Sequence, residues 1–170
     1  MLETEIKNWY REHYLISTEP GLIQIDQVSA AFNSDVACWA NSLPIDALKK
    51  TLRNSLCLGL YALPESTSES ASKSLRQVGL VRIITDDVTF AYMTDVYVLP
   101  EHQSKGLGRW LLGCVDELIK NWPHLRRLMF LTDEQMPFYR KTIGAKEWSE
   151  LGMSDIKIGV VRGVGSSKHG

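Results

Sequence analysis

Gln103-Ser104-Lys105-Gly106-Leu107-Gly108 is the stretch on which the reading of this 170-residue chain turns. It follows a strand-like run over residues 89–99, closed by Pro100, and it opens a long amphipathic helix. Strand, glycine-bearing turn and helix together make a setting for a phosphate. The first amides of a helix lack internal partners and face outward as donors. The helix macrodipole places partial positive charge at the same point. Glycine lets the backbone approach an anion without a Cβ in the way, and Lys105 and Arg109 add full charges.

Two common phosphate motifs fail here. A P-loop closes its glycine frame with Gly-Lys-Ser/Thr, and Gly106-Leu107-Gly108-Arg109 does not. A dinucleotide fingerprint needs a third glycine where Leu111 stands and an acidic residue about twenty positions later, where residues 126–129 are basic and apolar.

The run Val98-Leu99-Pro100-Glu101-His102-Gln103-Ser104-Lys105-Gly106-Leu107-Gly108-Arg109 resembles the acetyl-CoA signature of the GNAT superfamily of N-acetyltransferases. That signature is a strand ending Val-x-Pro, two residues, then Gln/Arg-x-x-Gly-x-Gly/Ala at a helix start. Further on, Phe138-Tyr139-Arg140-Lys141-Thr142-Ile143-Gly144-Ala145 is similar to the family's Phe/Leu-Tyr-x-x-x-Gly-Phe segment, with Ala145 where Phe is usual. The resemblance extends over about residues 56–148. It implies an α+β fold with a mixed, mostly antiparallel twisted sheet flanked by helices, whose two central strands splay apart around the cofactor.

Composition narrows the alternatives. Hydrophobic residues make up 44% and charged residues 23%, with a net charge of −1. These values are ordinary for a globular domain and carry no electrostatic footprint for nucleic acid. Cys38, Cys57 and Cys114 are odd in number and far apart, so neither a disulfide framework nor a Cys-x-x-Cys metal site is expected. The acidic start Met1-Leu2-Glu3-Thr4-Glu5 lacks the features of a signal peptide, and no apolar run approaches the roughly 20 residues of a membrane span. A cytoplasmic protein with no metal and no membrane partner is the expectation, with a homodimer left open.

Along the chain, residues 3–13 have helix-forming composition with short apolar spacing, and residues 14–18 read as a first strand. Helices are expected over residues 23–32 and from Pro44, where Ile45, Leu48 and Leu52 recur at helical spacing. Strands follow over 56–63 and 77–85. The serine-rich residues 64–75 between them read as a mobile hairpin loop, too polar to offset their ordering entropy. Asp86-Asp87 turns into the strand at 89–99, apolar on both faces as for a doubly covered strand. Leu107, Trp110, Leu111, Cys114, Val115 and Leu118 form a helical stripe ended by Pro123. A short buried strand over 127–131, a helix over 136–143, a last strand over 156–161 and a flexible tail at 163–170 complete one domain of order β-α-α-β-β-β-α-β-α-β. The step across the Gly106 helix should be parallel and right-handed.

Acetyl transfer to an amine requires a held cofactor, a neutral amine, a stabilised oxyanion and a proton for the thiolate. Gln103 and the amides of Ser104, Lys105, Gly106, Leu107, Gly108 and Arg109 are assigned to the cofactor's pyrophosphate. The resemblance implies that the backbone of Val96, Tyr97 and Val98 pairs with the pantetheine arm, with the Val98 amide as oxyanion donor. It also implies that Tyr139 is the general acid. A phenol near 10 giving its proton to a thiol near 8.5 costs about 2 kcal/mol unless the site lowers the phenol. Asp95 is the carboxylate inside the central strand, and it reads equally as a candidate base or as a structural Asp hydrogen-bonded to nearby backbone; Asp133, Glu134, His102 and a water chain are alternatives for the base. Trp39, Pro44, the region of Leu56, Phe90 and Tyr92 are expected to line the acceptor side. The expected partners are acetyl-CoA and a small or amino-acid-like amine, against a protein acetyltransferase or a non-catalytic acyl-CoA sensor.

Overall fold

In the computed structural model of the protein, residues 5–37, 43–64, 74–153, 155–161 and 163 are described. Cys38, Trp39, most of the serine-rich segment and almost all of the tail therefore lie outside the described residues.

The chain begins with an antiparallel hairpin of β1 (Asn8–Arg11) and β2 (Tyr14–Ser17), where residues 3–13 promised helical composition. Tertiary pairing overrides a weak local preference here. Trp9 packs on the main core, and its Nε1 donates to Glu117 Oε2 at 3.1 Å. Next come α1 (Ile25–Phe32), α2 (Ile45–Arg53), β3 (Leu56–Ala62), β4 (Arg76–Thr85) and β5 (Phe90–Val98). The chain continues through α3 (Leu107–Lys120), β6 (Arg127–Met129) and α4 (Met136–Ile143), which ends on left-handed Gly144. The six strands form one sheet in sequential order, antiparallel except for the parallel pair β5–β6.

Two apolar clusters sandwich this sheet. On one face the stripe Leu107, Leu111, Leu112, Val115 and Leu118 of α3 meets Leu58, Leu60, Val81, Ile83 and Met93. On the other, Val28, Phe32, Leu48 and Leu52 of α1 and α2 meet Cys57, Leu80 and Tyr97. Burying each such side chain is worth about 1.5–3 kcal/mol.

Two irregularities in β5 create the site. First, β5 and β6 pair only from Phe90↔Arg127 to Tyr92↔Met129. Beyond Tyr92 no β6 residue pairs with β5, so its backbone edge opens toward a gap. Second, the β4–β5 register slips between Leu80 and Arg82, where Asp95 adopts φ +52°. A bulge of one residue reverses the alternation of side chains. Ala91 and Met93 face α3 before it, whereas after it Val96 and Val98 do so and Tyr97 points to the other face.

Two expected strands need correction. The 127–131 strand is shorter and only half-buried at Leu128 and Met129, and Leu131 is 76% exposed. Residues 156–161 form no strand: they have strand composition, yet they pair with no sheet neighbour and Val161 is 96% exposed. β propensity expresses a fit to a neighbouring strand, and without one it does not hold a segment extended in a sheet.

Candidate active-site cleft

The gap beside β5 is a continuous cleft of two hollows, of about 680 and 570 Å³, which share Val98, Gln103, Gly108 and Phe138. The first lies over the start of α3 and the second runs along the open edge of β5 toward α4.

At the first hollow, Ser104 and Gly106 both take left-handed backbone, φ 62° and 74°. Gly106 is the N-cap of α3, no side chain caps the helix, and no acidic residue stands in its first turn. The amides of Leu107, Gly108 and Arg109 thus lack the capping partners that most helix starts acquire. A left-handed non-glycine such as Ser104 stores strain of about 1–3 kcal/mol, and such strain concentrates at functional turns. Leu107 itself is 2% exposed, so its side chain belongs to the core and only its backbone faces the hollow.

Sequence reading missed Arg11. It comes from the end of β1, with its guanidinium nitrogens 3.7 Å from the position a Cβ on Gly106 would occupy, and it lies 6.0 Å over the Trp110 ring. No local motif marks it; only the hairpin brings it to the helix start. Arg11 and Arg109 both line this hollow. Lys105 does not: its Nζ lies 3.3 Å from the Tyr14 hydroxyl, which also contacts His102 Nδ1 at 3.0 Å. Burial, and then the Lys105 charge, lower the pKa of His102 from its usual 6.5. His102 therefore ties the loop to the hairpin and does not line the cleft.

Val96, Tyr97 and Val98 all line the second hollow. Gln103 Nε2 donates to the Val98 carbonyl at 2.8 Å, which fixes the loop against the end of β5. Tyr139 lines the same hollow, its ring 4.5 Å from that of Phe130 and 5.6 Å from that of Phe138. Burial, and then the Asp133 charge, raise the pKa of its phenol above the usual 10.

Asp95 is 7% exposed and does not line either hollow. Its Oδ2 lies 2.5 Å from Arg82 Nε, and Arg82 also donates to Ser55 Oγ at 3.2 Å. Asp133 and Glu134 are exposed and outside the lining as well. Of the residues expected on the acceptor side, Trp39 lies outside the described residues and the others do not line either hollow. Leu56 is buried in the α3-side core, Phe90 and Tyr92 lie where β6 covers β5, and Pro44 is outside the cleft. The second hollow is lined instead by Asp35 and Val36, from a 3-10 turn (Asp35–Ala37) between α1 and α2, and by Gln135 before α4. Among the described residues, no cluster of His, Cys, Asp or Glu is arranged to hold a metal ion, and no helix is long and apolar enough to cross a membrane.

The model of the acetyltransferase (GNAT) family matches residues 53–145. A Gibberella zeae protein described as a candidate acetyltransferase is 47% identical over 171 residues, covering 96% of this chain and 97% of that protein. The crystal structure of a GNAT-family candidate acetyltransferase from Xanthomonas campestris pv. campestris aligns with TM-score 0.70 and 27% identity, over 93% of this chain and 100% of that one. N-acetylglutamate synthase from Neisseria gonorrhoeae, solved with coenzyme A and L-arginine, shares the fold at TM-score 0.53 and 14% identity, over 77% of this chain and 27% of that one. An open β5 edge beside an uncapped glycine-bearing helix start is thus found in a chain that belongs to the GNAT acetyltransferase family.

Proposed function

We propose that the cleft binds acetyl-CoA and that the protein transfers its acetyl group to the primary amine of a small molecule. The observation that carries this reading is continuity. The uncapped start of α3, the unpaired edge of β5 and Tyr139 line one cleft, in the order that a pyrophosphate, a pantetheine arm and a thioester would occupy.

The residues present fit such a ligand. The amides at residues 107–109 are oriented as donors to a diphosphate, and Arg11 and Arg109 supply the neutralising charge. The open edge of β5 along Val96–Val98, on which Gln103 already takes the Val98 carbonyl, suits an amide-bearing arm added as an extra strand. Bound there, acetyl-CoA supplies the activated acyl group; the protein's own contribution is to position it and handle protons. Tyr139 is the donor we assign to the departing sulfur. Its raised pKa makes that transfer cost more than the roughly 2 kcal/mol of an unperturbed phenol, and raises the pH at which the donor is lost.

We assign Asp95 to the bulge and not to proton transfer. Its pairing with Arg82 holds the backbone slip that aims Val96 and Val98 at α3. We place the protein in a reducing compartment, the cytoplasm, since Cys57 and Cys114 are buried free thiols, each pushed up to about 12. The test is a panel of primary amines incubated with protein and acetyl-CoA, with free thiol as readout. Amine-dependent thiol release is expected. Acetyl-CoA binding with no release by any amine or basic peptide would make the protein a non-catalytic acyl-CoA binder.

A further inference from the structure

The cleft is electrically polarised. Its α3 end carries Arg11 and Arg109, whereas among the described residues Asp35 is the charged one lining the other end. Asp35 begins the turn between α1 and α2, which packs against β5. Val36 anchors that turn in the α1/α2 cluster, its amide donating to Ser34 Oγ at 3.3 Å. Among the described residues no ion pair involves Asp35. A carboxylate therefore stands, on a turn that packs against β5, in the hollow that Tyr139 lines, at the end of the cleft away from the start of α3.

We propose that Asp35 selects acceptors carrying a second, non-reacting ammonium group: a diamine or polyamine in preference to a monoamine or an acidic amino acid. The proposal rests on the cofactor reading above and narrows its acceptor. The chemistry requires two nitrogens with different roles. The reacting nitrogen must be uncharged: it forms the N–C bond as the C–S bond breaks, its surplus proton leaves to water, and the sulfur departs as a thiol with the proton from Tyr139. A carboxylate paired to that same nitrogen would favour its protonated, unreactive form. Paired to a second nitrogen, it holds the acceptor without hindering the attack, and that ammonium stays protonated throughout.

Calorimetric titration of the CoA-saturated protein with 1,4-diaminobutane, n-butylamine and glutamate tests this without requiring turnover. Asp35 is exposed, so the preference for the diamine over the monoamine should be about five-fold, the upper range for an exposed ion pair. Glutamate should bind more weakly than either. Asp35→Asn should bring diamine and monoamine to equal affinity, and Asp35→Lys should reverse their order. Equal affinities in the wild type, no diamine binding, or a preference that survives Asp35→Asn would each overturn the proposal. The preceding CoA titration reports separately on the cofactor reading: failure of the wild type to bind CoA would overturn that reading and this inference with it.

Discussion

The two ends of the cleft are built on different principles. At the α3 end, rigidity comes from local backbone geometry: left-handed Ser104 and Gly106, an uncapped helix start, and a hairpin locked to the loop through Tyr14, His102 and Lys105. Arg11, Ser104 and Arg109 line its hollow. At the other end the walls come from separate elements, the α1–α2 turn, β5 and α4. Below it, on the α1/α2 face, the Tyr61 hydroxyl is buried without a hydrogen-bond partner. A site that must hold one invariant cofactor can be fixed by a short motif. One that receives a variable acceptor is assembled from distant segments, and so leaves little trace in any single stretch.

The largest expected effect breaks the acceptor end chemically while leaving the cofactor end intact. Tyr139→Phe keeps the ring against Phe130 and Phe138 and removes the proton donor. On a substrate found by the amine screen, kcat should fall about 10²–10⁴-fold, with acetyl-CoA affinity little changed. The wild-type alkaline limb should lie above the usual phenol range of about 10, because burial and Asp133 raise that group, and it should be absent from the variant.

At the cofactor end, Arg11 and Lys105 should separate. Arg11→Ala removes a cation that lines the hollow and should weaken acetyl-CoA binding about ten-fold by calorimetry, the worth of one charge-assisted contact. Lys105→Ala, whose ammonium is turned to Tyr14, should cost at most about two-fold, and less at high salt. Equal losses would erase the distinction between a hairpin that binds the ligand and a loop lysine that binds the hairpin.

The smaller effects concern stability. Tyr61→Phe removes a buried hydroxyl that lacks a partner, so denaturant unfolding should show no loss and a gain of up to about 1 kcal/mol. His102 sharpens the contrast from the other side. Its pKa is lowered in the fold, so the unfolded chain binds the proton more readily and stability rises with pH. The stability it contributes is present above the usual value of 6.5 and is lost as pH falls through the lower folded value. In His102→Gln, the drop in Tm on acidification through that window should be reduced.

Residues whose role is local were legible before any coordinates. The helix stripe from Leu107 to Leu118 and the glycine spacing at 106 and 108 carry their own geometry, and Gly144 ends α4 in the left-handed conformation its position suggests. What depends on pairing was not legible. Residues 8–11 became a strand because 14–17 lie opposite them, while residues 156–161, with better strand composition, pair with no strand. A carboxylate within a strand suggests chemistry or structure alike, and the sequence of β5 does not choose between them for Asp95. Its bulge is a property of register between β4 and β5, which no single strand displays. Arg11 and Asp35 reach the cleft from outside the matched family segment, through a hairpin and an inter-helix turn.

The central claim, that the cleft at the start of α3 holds acetyl-CoA, is tested most directly at Gly108, which lines both hollows. A Cβ there would meet only Phe138, at an ordinary 3.7 Å, so Gly108→Ala is tolerated sterically. An acidic residue in the first turn of a helix is favourable for the fold, so Gly108→Asp should remain folded while placing a negative charge in the phosphate hollow. Titration of acetyl-CoA into the three proteins should give similar affinities for wild type and Gly108→Ala, and a loss of at least about 100-fold for folded Gly108→Asp, some 2.7 kcal/mol. Wild-type affinity in folded Gly108→Asp would contradict the account.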